Sequence, residues 1–210
     1  MSCCPLCQSS GLFFHKDIRR EYFRCSKCSL VFIGRDSLPS LKMEKSHYDL
    51  HENNPKDSDY RNFLARLTKP LLKRLEPNCS GLDFGCGPGP TLSIMMEEAG
   101  HKVSLYDPIY YPEVSPLSKS YDFITATEVF EHLHQPAKDL EILFNNLKAG
   151  GWLGIMTKRV LNKEAFAKWH YIQDPTHVCF WSETTFKWVA EKWRTSVEFP
   201  QADVVLLQKA

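Results

Sequence analysis

What the chain lacks narrows its class first. No apolar run approaches the ~20 residues that cross a bilayer, and the start, Met1-Ser2-Cys3-Cys4-Pro5, has neither a charged leader region nor an apolar stretch behind it. These absences predict a cytoplasmic protein with no membrane partner. Neither charge is in excess: 26 Lys and Arg stand against 25 Asp and Glu, a formal +1, so there is no global field of the kind that drives nonspecific nucleic-acid binding. With 10 Gly and 13 Pro the chain is too poor in both for a collagen-like or disordered sequence, and no internal repeat is visible. The length of 210 residues suits one full domain plus a small module.

Cysteine is what the chain does have, and it is unevenly placed. Five of the eight lie within the first 28 residues: Cys3, Cys4, Cys7, Cys25 and Cys28. Cys4-Pro5-Leu6-Cys7 and Cys25-Ser26-Lys27-Cys28 are two CxxC pairs separated by 17 residues, a spacing that suits a closed, tetrahedral, structural zinc site. A module of ~35 residues cannot bury enough apolar surface to fold unaided, which gives the metal a physical purpose. Disulfides are the alternative, disfavoured in a reducing compartment. Cys3 adjoins Cys4 and competes for the same place, but the tighter CxxC turn favours Cys4. The expected zinc ligands are therefore Cys4, Cys7, Cys25 and Cys28.

Between the knuckles, Lys16, Arg19, Arg20 and Arg24 outnumber Asp17 and Glu21 beside Phe13, Phe14, Tyr22 and Phe23. Either this face touches RNA or a protein, or the aromatics pack around the knuckles while the charges solvate the rim. The expected organisation is a zinc-ribbon-like module over 1–35, a linker and entry segment over 36–58, and a large domain over 59–210.

The large domain alternates strands and helices. A helical face begins at Tyr60, with a kink or break expected at Pro70. A strand over 80–84 runs into Gly85-Cys86-Gly87-Pro88-Gly89-Pro90, a helix follows, and a second strand ends in Asp107-Pro108. Further strands are expected over 121–126 and 152–156, with a helix opened by Pro136 between them and stopped at Ala149-Gly150-Gly151. Ser182 is placed to cap a helix, and two short strands close the chain. This order predicts an α/β fold: a Rossmann-like, doubly wound, mainly parallel sheet with an antiparallel edge strand, beside the small ribbon.

A glycine-rich turn between strand and helix lets backbone approach a ligand beyond the carboxyl ends of the sheet, and Asp107 follows at the distance at which a carboxylate receives ribose hydroxyls. Pro90 stands where a dinucleotide-binding GxGxxG would need glycine. At these residues the chain resembles the class I S-adenosylmethionine-dependent methyltransferases. Their first motif is similar to Leu82-Asp83-Phe84-Gly85-Cys86-Gly87-Pro88-Gly89, their fourth-strand motif to Tyr121-Asp122-Phe123-Ile124 with Glu128-Val129-Phe130-Glu131-His132-Leu133, and their fifth-strand entry to residues 147–153.

The resemblance implies that S-adenosylmethionine is the cofactor. Gly85, Cys86, Gly87 and Gly89 would line its methionine end, Asp107 and Pro108 its ribose, and Thr127, Glu128 and Val129 the transferring methyl, with Asp83 ordering the loop and the amino group. Too few residues separate Asp107 from Tyr121 for the family's usual third strand. Ile109-Tyr110-Tyr111-Pro112 would then cover the adenine.

The stretch from Trp169 to Ser182 is expected as a lid over the sheet's carboxyl ends. In it, His177, oriented by Asp174, is the candidate general base. His132 is expected to pack behind the fourth-strand motif, Tyr48 to close over the methionine end, and Trp169, Tyr171, Phe180 and Trp181 to be core. The expected partner is a small-molecule acceptor. An RNA acceptor gripped by the ribbon, or a noncatalytic interaction protein, are the alternatives, and the oligomeric state is left open.

Overall fold

The computed structural model describes residues 2–50 and 53–210; residues 1, 51 and 52, which belong to the expected module and linker, lie outside it. Two sheets organise the described residues. The first is antiparallel and opens with β1 (Ser2–Cys3), β2 (Ser10–Lys16), β3 (Glu21–Cys25) and β4 (Val31–Ile33).

Where a linker was expected, the chain forms α1 (Leu41–Tyr48), with the Ser40 hydroxyl accepting from the Met43 N–H at its N-terminus. Its residues show little amphipathic pattern, and tertiary bonds hold it instead. Glu44 accepts from His134 at 2.9 Å, and His47 meets Asp174 at 3.0 Å.

The large domain begins with α2 (Ser58–Leu72), capped by the Asp57 carboxylate, with Leu64, Leu67 and Leu71 buried along one face. Pro70 falls in the last turn, where it costs the helix one i→i−4 bond with little helix left beyond it to disrupt, and the helix runs on to Leu72. Then come β5 (Ser80–Phe84), α3 (Thr91–Glu98), β6 (Lys102–Tyr106), β7 (Tyr121–Thr127), α4 (Pro136–Asn146) and β8 (Leu147–Met156). Between β6 and β7 the described chain holds a short 3-10 turn, Ser115–Ser118, and an isolated bridge between Asp107 and Tyr111, so the third strand, expected to be shortened or absent, is absent.

One boundary differs. The helix ends at Asn146, and β8 begins at once, with Ala149-Gly150-Gly151 inside the strand as a bulge: pairing jumps from Tyr121↔Leu147 to Phe123↔Trp152.

The rest comprises α5 (Lys163–Ala167), β9 (Cys179–Phe180), α6 (Glu183–Trp193), β10 (Thr195–Gln201) and β11 (Val204–Lys209). Ser182 caps α6, accepting from the Thr185 N–H. The second sheet has the order β10-β11-β8-β7-β5-β6. Its pairs from β8 through β6 are parallel, and β11 and β10 add antiparallel strands at one edge.

Two buried clusters cover the two faces of this sheet. One joins α2 and α3 to Phe123, Trp152 and Leu206. The other runs from α4 and α6 into the N-terminal module. That continuity has a hydrogen-bonded basis, because β9 pairs with β4 and becomes the fifth strand of the first sheet. No described helix is long and apolar enough to cross a membrane.

Candidate active site

The strand order reverses at β5, which has β6 on one side and β7 on the other, and a crevice opens beyond the carboxyl ends of the strands at such a point. Here it is a cavity of about 960 Å³. Its lining includes most of the residues expected from the sequence: Gly85, Cys86 and Gly87 after β5, Asp107 and Pro108 after β6, and Thr127, Glu128 and Val129 at the end of β7.

The glycine turn is built by close approach. Gly85 has φ +73°, and a side chain there would put its Cβ 2.5 Å from Val129 Cγ2. The Asp107 carboxylate holds the turn together, since Oδ2 accepts from Gly87 N at 3.0 Å while Oδ1 accepts from Ile109 N and Tyr110 N. Cys86 is buried and its thiol pushed up by that burial, so it is a small loop residue with no nucleophilic character.

Two expected residues stand back from the cavity wall. Gly89 is needed for another reason: a Cβ there would lie 2.1 Å from the carbonyl oxygen of Asn53, so the glycine admits the chain that leads into α2. Asp83 is 2% exposed and accepts from Thr125 Oγ1 at 2.9 Å; burial raises its carboxyl to about 7. Its place is inside the sheet under the loop.

Residues from outside the motifs complete the wall. The α1 side chains Glu44, His47 and Tyr48 border the cavity, as do Tyr60 and Phe63 of α2. Tyr110, after β6, also lines it, and its hydroxyl donates to Asp49 at 2.6 Å. Of α1 only Tyr48 was expected here; the aperiodic segment gives no signal that could have marked Glu44 or His47.

The segment expected as a lid is a fixed wall. Tyr171, Phe180 and Trp181 are buried as core, and Trp169 packs against Tyr171 with ring centroids 4.8 Å apart. Arg19 Nη1 and Nη2 donate to the Gln173 and Ile172 carbonyls, and Arg20 donates to those of Ile172, Asp174 and Pro175. Of the four cations on the supposed basic face Arg20 is buried and Arg19 is tied to this wall while still exposed; Lys16 and Arg24 remain exposed. On the rest of that face, Lys16 pairs with Glu21 at 3.0 Å.

His177 is buried and lines the cavity. Its Nδ1 lies 2.8 Å from the Tyr171 carbonyl oxygen, so that nitrogen must carry the proton and Nε2 keeps its lone pair. Burial lowers its pKa to about 4, and the ring is neutral at neutral pH but a weak base. Asp174 flanks it. Burial works to raise that carboxyl, yet the Thr176 hydroxyl and His177 hold it down at about 2. His132 faces the cavity rather than packing behind the strand motif, with its own Nδ1 3.1 Å from the Thr176 carbonyl. Burial, and then the neighbouring Glu131, raises Glu128 to about 9.

In the module, the Sγ atoms of Cys4, Cys7, Cys25 and Cys28 lie within 4.8 Å of one another. Cys3 is exposed and turned away, its thiol donating to the Gln8 carbonyl.

Comparison with known proteins accords with this geometry. No curated protein matches the chain. Similar solved structures include the Burkholderia thailandensis 1,6-didemethyltoxoflavin-N1-methyltransferase with bound 1,6-didemethyltoxoflavin and S-adenosylhomocysteine: 14% identity, 96% of this chain and 100% of that one, TM-score 0.56. An S-adenosylmethionine-dependent methyltransferase from Methanosarcina mazei aligns at 12% identity over 68% of this chain and 98% of its own, TM-score 0.52. A complex of the Haloferax volcanii Trm112 methyltransferase activator with a methyltransferase aligns at 13%, over 75% and 94%, TM-score 0.52. At these identities the likeness is one of fold. The model of a methyltransferase domain family matches residues 57–193, well over half of the chain. The chain belongs to that family and is an S-adenosylmethionine-dependent methyltransferase.

Proposed function

We propose that the cavity binds S-adenosylmethionine with its methionine end against Gly85, Cys86 and Gly87, its ribose at Asp107 and Pro108, and its methyl group beside Thr127, Glu128 and Val129, and that the acceptor is a small metabolite. When bound, the cofactor supplies a methyl group on a sulfonium that is itself a good leaving group. The residues fit it. The positive φ of Gly85 lets bare backbone reach the cavity, and three backbone N–H donors hold the Asp107 carboxylate rigid at its edge. Ile109 and Tyr110 border the cavity where a third strand would otherwise supply an adenine contact. The protein's own contribution is alignment and exclusion of water, a proximity effect worth several kcal/mol.

The anchored wall carries the choice of acceptor. Arg19 and Arg20, the cations best placed to grip a phosphate backbone, hold residues 172–175 instead. A cavity of about 960 Å³ is at the upper end of small-molecule sites, with space for an acceptor beside the cofactor.

For the module we propose one structural zinc ion on Cys4, Cys7, Cys25 and Cys28. Four thiolates at ~2.3 Å from zinc lie ~3.8 Å apart, and the pairs Cys4–Cys28 and Cys7–Cys25 stand at 3.6 and 3.2 Å. Free thiols in this number suit the reducing cytoplasm.

Calorimetry with S-adenosylhomocysteine, followed by labelled-methyl transfer into fractionated cell extract, tests the reading. Binding, with label in the metabolite fraction, is the expected result. No binding at millimolar ligand overturns the cofactor assignment, and label in RNA or protein overturns the acceptor.

A further inference from the structure

A second cluster of ligating groups occupies the same cavity, away from the glycine turn. Glu131 and His132 come from the 3-10 turn Phe130–His132 after β7, and His177 comes from the wall segment. One carboxylate oxygen and one ring nitrogen from each histidine lie within 4.8 Å of one another.

Each of the three groups is already oriented by a bond on its far side. His132 Nδ1 is 3.1 Å from the Thr176 carbonyl oxygen and His177 Nδ1 is 2.8 Å from that of Tyr171. A carbonyl only accepts, so both rings carry their proton on Nδ1 and offer an Nε2 lone pair. Asp174 Oδ2 is 3.6 Å from the His177 Nε2, too far for a hydrogen bond. Glu131, 1% exposed, accepts from Thr157 Oγ1 at 2.9 Å and from the Tyr171 hydroxyl. Backbone carbonyls behind imidazoles and hydroxyls behind a carboxylate are the outer contacts that fix metal ligands.

A further acid stands beside these ligands. Glu128 lines the same cavity, and its buried Oε1 has no hydrogen-bond partner in the structure. A buried carboxyl oxygen left without a partner points to a group that the cavity receives.

We infer that Glu131, His132 and His177 bind one divalent transition-metal ion, with Glu128 as its neighbouring acid. Ligands at ~2.1 Å from a shared ion lie ~3 to 4 Å apart, so closure by roughly 1 to 2 Å completes the site. Two imidazoles and a carboxylate select a first-row divalent ion over magnesium or calcium and leave coordination positions open toward the cavity. The four cysteines of the module, by contrast, form a closed shell.

The test uses the full-length, zinc-loaded protein titrated with Mn²⁺, with free ion followed by electron paramagnetic resonance. A hard ion leaves the thiolate site alone, so one bound Mn²⁺ per chain is expected, weakened ~10-fold or more in His132→Gln and in His177→Gln. His132 is only partly buried, and H132Q keeps the experiment decisive if H177Q does not fold. No binding at millimolar Mn²⁺, or binding unchanged in H132Q, overturns the inference. S-adenosylhomocysteine binding measured on the same samples separates the two readings. Its presence without Mn²⁺ binding sinks the metal site alone, and its absence alongside Mn²⁺ binding sinks only the cofactor assignment.

Discussion

Arg20 Nη2 donates to the carbonyl oxygen of Asp174 at 2.8 Å, across 154 residues of sequence. Through this bond and its companions the N-terminal module holds the wall that carries His177, and β9 extends the module's own sheet. The module is therefore part of the site's scaffold. Arg20→Ala leaves buried carbonyl oxygens without donors and is expected to cost about 3 kcal/mol in urea unfolding, with reduced methyl transfer. Arg24→Ala, at an exposed position, changes neither.

Zinc removal should have the same reach. A chelator strong enough to strip the four cysteines, or Cys25→Ser, is expected to unfold the module and take catalytic activity with it, because Tyr22 and Phe180 share one buried cluster across the boundary. Elemental analysis paired with circular dichroism checks this. Activity that survives complete zinc loss would show the scaffold role to be wrong.

Gly85→Ala tests the turn. Its Cβ would meet Val129 at 2.5 Å on a backbone at φ +73°, so both contact and conformation oppose it. We expect affinity for S-adenosylhomocysteine to fall ~10-fold or more. The double variant with Val129→Ala should recover only part of the loss, since the backbone strain remains.

Asp83 makes stability depend on pH. Its folded carboxyl is raised to about 7 from 3.8, so the native state binds its proton more tightly than the unfolded chain does. Between pH 4 and 7 the unfolded state ionises first, and stability falls as pH rises through that window, by a few kcal/mol at most. Asp83→Asn should flatten this slope in urea titrations across that range. A slope unchanged in the variant would place its origin elsewhere.

Much of this was legible in the residues, because local chemistry and global fold agree there. Pro90 before α3, Pro136 opening α4 and Ser182 capping α6 mark helix starts by backbone rules that need no tertiary context. The glycine turn was placed by its position between strand and helix, and Asp107 by its position at the end of the next strand. Other elements escaped, two of them for reasons that can be named. The start of β8 was obscured because Ala149-Gly150-Gly151 reads as a helix stop whether it ends a helix or forms a bulge. Helix α1 was obscured because its support is His134 and Asp174, about 90 and 127 residues away.

The sequence by itself determined the architecture and the cysteine cluster, since spacing and periodicity over a few residues dictate those, while the reaction class came from the family that its motifs resemble. Only the tertiary structure decided that Arg19 and Arg20 bond the carbonyls of residues 172–175, that Gly89 serves the chain rather than the cavity, and that Glu131, His132 and His177 converge. The reason is physical: side-chain partners are chosen by packing between segments far apart in the chain, and a residue's type states what it can bond to but not which group the fold will bring within 3 Å.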